Sequence, residues 1–212
     1  MNNENYYEKL KQNHPVFNDL NLDKGQQKRL ESLLSYSSGA VNSLRNVISE
    51  LSQDVIHSEE YKKERLNQAK AELQSTLDRE FSVFKTKSAL AKQELQAATH
   101  PQAKDSTEEL LQFMRSKEIR DNLKSLPPAK RTEVLLDSVQ RGDSTILKAI
   151  QAQPVTSDLV PSDVLDRASK TYAQKIAPQQ TEAATLAEQD LQAAEKIKNL
   201  TEIALGYIER GV

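Results

Sequence analysis

The sequence predicts an all-α protein: a long coiled-coil-like helix or helical hairpin, then a short-helix bundle, then a long C-terminal helix. Three observations carry this expectation. The first is where the helix breakers sit. No proline lies between Pro15 and Pro101 and no glycine between Gly39 and Gly142, whereas Pro101, Pro127, Pro128, Pro154, Pro161 and Pro178 crowd the second half. Proline starts or ends helices because it lacks an amide donor and clashes with the preceding turn. The second is period: apolar residues step by three and four, and the nearest approach to strand alternation, Phe81–Phe84, lies inside a helical pattern. The third is composition. Of the 212 residues 37% are hydrophobic, 5% aromatic and 28% charged, with five glycines and no Trp. Globular chains carry about 45–50% apolar residues with glycine included. That shortage argues against one compact core and for helices that bury a narrow stripe.

The elements follow in chain order. Residues 1–22 read as an N-terminal arm. A short helix is expected from Asn3 to Asn13, with Tyr6, Tyr7 and Leu10 on one side, ending before His14-Pro15. Residues 23–99 read as one long helix or a helical hairpin. Asp23 and Gln26 have the spacing of a capping box, and Gly39 marks a place where the helix is weakened. From there Leu34, Val41, Leu44, Ile48, Leu51 and Val55 make a heptad seam. The seam lapses between His57 and Arg65 and resumes at Leu66, Leu73, Leu77, Phe81, Phe84 and Leu95. Two arrangements fit. A single helix from Asp23 to about Ala98 would run roughly 110 Å. A hairpin would turn near His57-Ser58, with Ser58 as cap and Glu59 and Glu60 in the first turn. The lack of Gly and Pro favours continuity. A stripe of this length reads first as an assembly surface, although the C-terminal helix has the spacing to pack on it within the chain.

Residues 100–177 read as a small helical domain. Ser106 to Glu109 resembles a capping box for a helix reaching about Leu123. Pro127-Pro128 stops one helix and starts the next, and Gly142 is placed to end it. Asp143 or Ser144 then caps a helix carrying Ile146, Leu147 and Ile150. After a loop from Pro154 to Pro161, Ser162 caps the next. Residues 178–212 read as a C-terminal helix from about Gln180 to Ile208, with six acids against three bases after Pro178.

The chemistry the residues exclude is wider than the chemistry they offer. Zero Cys removes disulfides, thiolate metal sites and Cys nucleophiles. His14, His57 and His100 are too far apart to share a helical face, and the single Asp54-x-x-His57 step lacks the second motif that a bundle metal site needs. Isolated glycines supply neither a phosphate loop nor a nucleophile elbow. Carboxylate pairs such as Glu59-Glu60 and Glu108-Glu109 fall where helix first turns carry acids anyway. Arg141-Gly142-Asp143 spells an adhesion tripeptide, which a helix end followed by a helix start explains equally well. No catalytic residue, cofactor or metal is expected. No apolar run exceeds three residues, so neither a membrane span nor a signal peptide is expected. The net charge of −2 argues against nucleic acid as the main partner. One basic cluster still offers an anion-facing stripe: Arg115, Lys117, Arg120, Lys124, Lys130 and Arg131. Within it Lys117, Arg120 and Lys124 share a helical face.

From Glu118 to Pro178 the chain presents a helix opening on Glu118-Ile119-Arg120, a helix closing on Gly142-Asp143, then Leu147-Lys148-Ala149-Ile150 and the Pro154–Pro161 loop. This stretch resembles small α-helical proteins of unassigned role encoded by tailed phages and prophages. The resemblance implies a phage virion or morphogenesis component, located in the host cytoplasm or the virion. The expected function is thus non-enzymatic structure or assembly through helix–helix contacts with protein partners, as a homo-oligomer or a larger assembly. The alternative is a nucleic-acid-binding accessory protein using the Arg115–Arg131 stripe.

Overall fold

The computed structural model describes residues 5–100, 105–152 and 159–210. Among them every regular element is helical. The elements are α1 (Tyr6–Asn13), a 3-10 turn (Pro15–Phe17), α2 (Lys24–Arg29), α3 (Glu31–Gln53), α4 (Glu59–Thr99), α5 (Ser106–Lys124), α6 (Pro128–Arg141), α7 (Thr145–Gln151), α8 (Ser162–Ile176) and α9 (Pro178–Glu209). The expected start at Asn3, Pro101 and most of the Pro154–Pro161 loop lie outside the described residues. The chain divides into two compact units, residues 1–89 with 186–212, and residues 90–185.

In the first unit, continuity from 23 to 99 is overturned in favour of the hairpin. The break needs neither glycine nor proline. The Asp54 carboxylate accepts from the backbone N–H of Ile56 at 2.9 Å and of His57 at 3.1 Å, which offers the backbone an alternative to the helical ladder. Ser58 then accepts from the Tyr61 N–H at 3.3 Å as the expected cap. A second interruption falls at Leu30, fully buried, where α2 gives way to α3. Gly39 does not break α3. The capping box of Asp23 and Gln26 forms in both directions, at 2.8 and 3.2 Å.

Helix α4 runs antiparallel to α3, as the 2.7 Å hydrogen bond from Tyr36 Oη to the Leu73 carbonyl across the hairpin requires. Helix α9 runs antiparallel to α4, and their polar pairs keep one register. Lys70 meets Glu209 at 2.6 Å, Gln74 meets Glu202 at 2.7 Å, Asp78 meets Lys198 at 2.7 Å and Ser88 meets Glu188 at 3.2 Å. Numbers climb on one helix as they fall on the other.

Residues 5–22 are not a free arm. Leu10, Phe17 and Leu20 are fully buried in one cluster with Leu33, Leu34 and Val41 of α3, Leu77, Phe81 and Phe84 of α4, and Ala194, Ile197 and Ala204 of α9. Hydrogen bonds hold the segment down: Tyr7 Oη donates to the Leu20 carbonyl, Lys196 of α9 to the Asp19 carbonyl at 2.7 Å, and Arg45 of α3 to the Asn13 carbonyl.

The second unit gathers Leu123, Leu135, Val139, Leu147, Ile150, Leu159, Val160, Ala168 and Tyr172 into a core of its own. Helix α5 is capped by Asp105, whose carboxylate accepts from the Thr107 and Glu108 amides at 2.9 Å, not by Ser106. Glu118-Ile119-Arg120 falls in the last third of α5 and does not start it. Pro128 opens α6, and Gly142 closes it with φ 83°, the left-handed conformation that glycine adopts without a Cβ penalty. Asp143 Oδ1 accepts from the Thr145 N–H at 2.8 Å. Ser162 is the first residue of α8 and forms no side-chain cap, because Pro161 holds the cap position.

Candidate functional site

The heptad seam divides into three groups. Leu34, Val41, Leu44, Leu77, Phe81 and Phe84 are buried inside the first unit. Ile48, Leu51, Leu66, Leu73 and Leu95 are half-buried. Val55 leaves the seam, because the hairpin turn carries it out of α3 to 93% exposure. The stripe therefore finds most of its cover within the chain, from α9 and residues 5–22. This corrects the expectation that its length marks it first as an assembly surface.

The basic stripe comes apart as well. Arg120 is 6% exposed and donates to the Ala149 carbonyl at 2.9 Å, in the last turn of α7. Arg131 donates to the carbonyls of Leu126 at 2.8 Å and Lys124 at 3.0 Å, closing the end of α5. Both do what a cation does at a helix C-terminus, where carbonyls lack partners and the backbone dipole is negative. Lys124 pairs with Asp121 at 3.3 Å and Lys130 with Glu133 at 2.7 Å, both exposed. The hydrogen bond to Glu133 raises the pKa of Lys130. Arg115 and Lys117 are exposed and form no ion pair among the described residues, so the six residues do not form one anion-facing surface.

Arg115 lies instead on a cleft of about 750 Å³ between α5 and α7, with Phe113 and Ile119 on one wall and Lys148 on the other. Glu108, Glu109 and His100 line the same cleft. Among the described residues no group of three or more His, Asp or Glu is placed to hold a metal ion. No described helix is long and apolar enough to cross a membrane.

The N-terminal half of α5 carries apolar residues that the core of the second unit does not take up. Leu110, Leu111, Phe113 and Met114 are 59, 50, 59 and 60% exposed. The buried side of α5 is set by Ser116, Ile119, Arg120 and Leu123. At 100° per residue Leu110 and Met114 point away from that side, with Leu111 and Phe113 flanking them. The sequence signal was present, since four large apolar residues within five positions are too many for one helical face.

Two histidines acquire definite roles. His57 Nδ1 lies 2.6 Å from Asp54 Oδ2, and its ring stacks on Tyr61 at 4.3 Å. The Ile56 amide, followed by the His57 ring and amide, lowers the Asp54 carboxyl to about 2. His14 is buried between α1 and the 3-10 turn. Its Nδ1 accepts from the Val16 N–H at 3.3 Å, and its ring stacks on Tyr207 of α9 at 5.7 Å. Burial, and then the Arg45 charge, lowers its pKa. No protein-family model matches the chain, and neither a curated protein nor a solved structure matches it.

Proposed function

We propose that this chain is a non-enzymatic structural or assembly protein that acts through helix–helix contacts, joining a second copy of itself along the outward face of α5. One observation supports the reading most. In a chain short of apolar residues, Leu110, Leu111, Phe113 and Met114 are left at least half exposed on two turns of helix. Contiguous exposed apolar patches on this scale mark interaction sites.

The second copy is favoured because the patch is symmetric about Gln112. An antiparallel pairing at that level sets Leu110 against Met114 along the contact, with Leu111 and Phe113 flanking it. An isologous contact has this self-complementary form. A standard interface buries roughly 800 Å² per partner, more than two helical turns offer, so the association is weak. The resemblance of residues 118–178 to phage-encoded helical proteins supports a virion or morphogenesis component, in the host cytoplasm or the virion.

Sedimentation equilibrium of the full chain from about 5 to 500 µM, the range where a weak interface is read, tests the assembly. The mass of the native protein should rise toward a dimer. The double variant Leu110→Glu, Met114→Glu should stay monomeric with unchanged helicity. A native chain that is monomeric throughout, or a double variant that associates equally, overturns the proposal.

A further inference from the structure

We propose that residues 5–22 form an acid-released latch, in which protonation of the His14 imidazole frees the segment from α3 and α9 and opens the apolar surface beneath it. The inference does not depend on the self-association of α5.

The ring stands at the centre of the segment's attachment. It is 8% exposed, between the end of α1 and the 3-10 turn. Nδ1 accepts the Val16 N–H at 3.3 Å, so the neutral ring caps the turn that carries Phe17 inward. The ring face lies on Tyr207 at 5.7 Å with an interplanar angle of 18°. An imidazolium has a proton on both nitrogens and accepts nothing, so protonation removes the Val16 bond outright.

Burial and one neighbouring charge oppose the imidazolium. From α3, Arg45 approaches and donates to the carbonyl of Asn13, the residue before the ring. At the end of α9 the Arg210 guanidinium lies 5.1 Å from the centroid of the Tyr207 ring. Glu209 in the same turn is engaged by Lys70 at 2.6 Å. Desolvation and the Arg45 charge accordingly depress the His14 pKa below its ordinary value of 6.5. With the folded-state pKa lowered, the unfolded or detached segment binds the proton more readily. The stability that the neutral ring gives the attachment is therefore full above pH 6.5 and is lost as pH falls below it.

What opens is apolar. Leu10, Phe17 and Leu20 of the segment are fully buried, and they cover Leu33 and Leu34 of α3 and Ile197 of α9.

Hydrogen–deuterium exchange of the full chain at pH 7.5 and pH 5.0, corrected for intrinsic rates, reads the latch. Protection in residues 5–22 should fall at pH 5.0, while α5 to α8 keep theirs. In His14→Asn the side-chain oxygen can still accept the Val16 N–H but does not titrate, so protection should be the same at both pH values. A readout that needs no variant is the His14 ring-proton titration by NMR, whose midpoint should coincide with that of release. Undiminished protection at pH 5.0, an equal loss in His14→Asn, or a midpoint apart from the His14 titration overturns the proposal.

Discussion

Replacing Phe17 by alanine tests whether residues 5–22 belong to the core of the first unit. The side chain is fully buried and shares a cluster with α3, α4 and α9. Truncating a buried Phe to Ala loses the transfer free energy of the ring and leaves a cavity, about 3–5 kcal/mol in all. Domains are stable by only about 5–15 kcal/mol, so this is a large fraction of the total. For a unit of this size each kcal/mol moves the midpoint by about 3–6 °C, which gives a shift of about 9–30 °C. Thermal melting followed by far-UV circular dichroism reads it, with Val55→Ala as the control. Val55 is 93% exposed and its truncation should change stability by less than about 0.5 kcal/mol. A Phe17→Ala midpoint within about 3 °C of the native value would refute the reasoning, because even 1 kcal/mol of lost burial moves it that far. Residues 5–22 would then be the arm that the sequence suggests.

Three further outcomes follow from the same geometry. Arg120→Ala removes the donor to the Ala149 carbonyl and should destabilise the second unit by about 2–3 kcal/mol in urea titration, whereas Arg115→Ala should cost under about 0.5 kcal/mol. Equal effects would mean that Arg120 is not buried. Gly142→Ala should cost about 1–2 kcal/mol, because φ is 83° while a new Cβ meets Ile176 Cδ1 at an ordinary 3.5 Å; the change in urea midpoint separates this conformational cost from a steric clash, which would be larger. For Asp54 the folded carboxyl titrates at about 2 against 3.8 ordinarily, so the unfolded state binds more protons between those values. The hairpin turn should hold above about pH 4 and loosen as pH falls toward 2, seen as faster exchange at the Ile56 and His57 amides. Asp54→Asn should flatten that dependence, and an unchanged pH profile in the variant counts against the carboxylate.

The helices were legible because their signals are local. Asp23 and Gln26 cap α2 as their spacing indicates, Pro128 opens α6 and Gly142 closes it. The hairpin turn was harder to read. A sidechain–backbone turn at Asp54 ends α3 without the Gly or Pro that punctuation arguments look for, and only the lapse of the seam after His57 and the Ser58 cap with Glu59 and Glu60 hinted at it. The candidate site was legible in part. The excess of apolar residues between Leu110 and Met114 is plain in the sequence. Which of them face solvent depends on which side of α5 meets α7.

By itself the sequence determined that this chain is helical, where most helices start and stop, and which residues form each apolar stripe. Caps, proline geometry and a 3.6-residue period act within a few positions of one another. Tertiary structure alone decided what covers each stripe. The Leu34–Phe84 seam would serve a second copy as well as its own chain, and it is the return of α9 and the inward fold of residues 5–22 that bury it. Arg120 shares a helical stripe with Lys117 and Lys124, yet the end of α7 turns it inward to a carbonyl. Burial is a relation between segments far apart in the chain, and a period read along one helix carries no record of its neighbour.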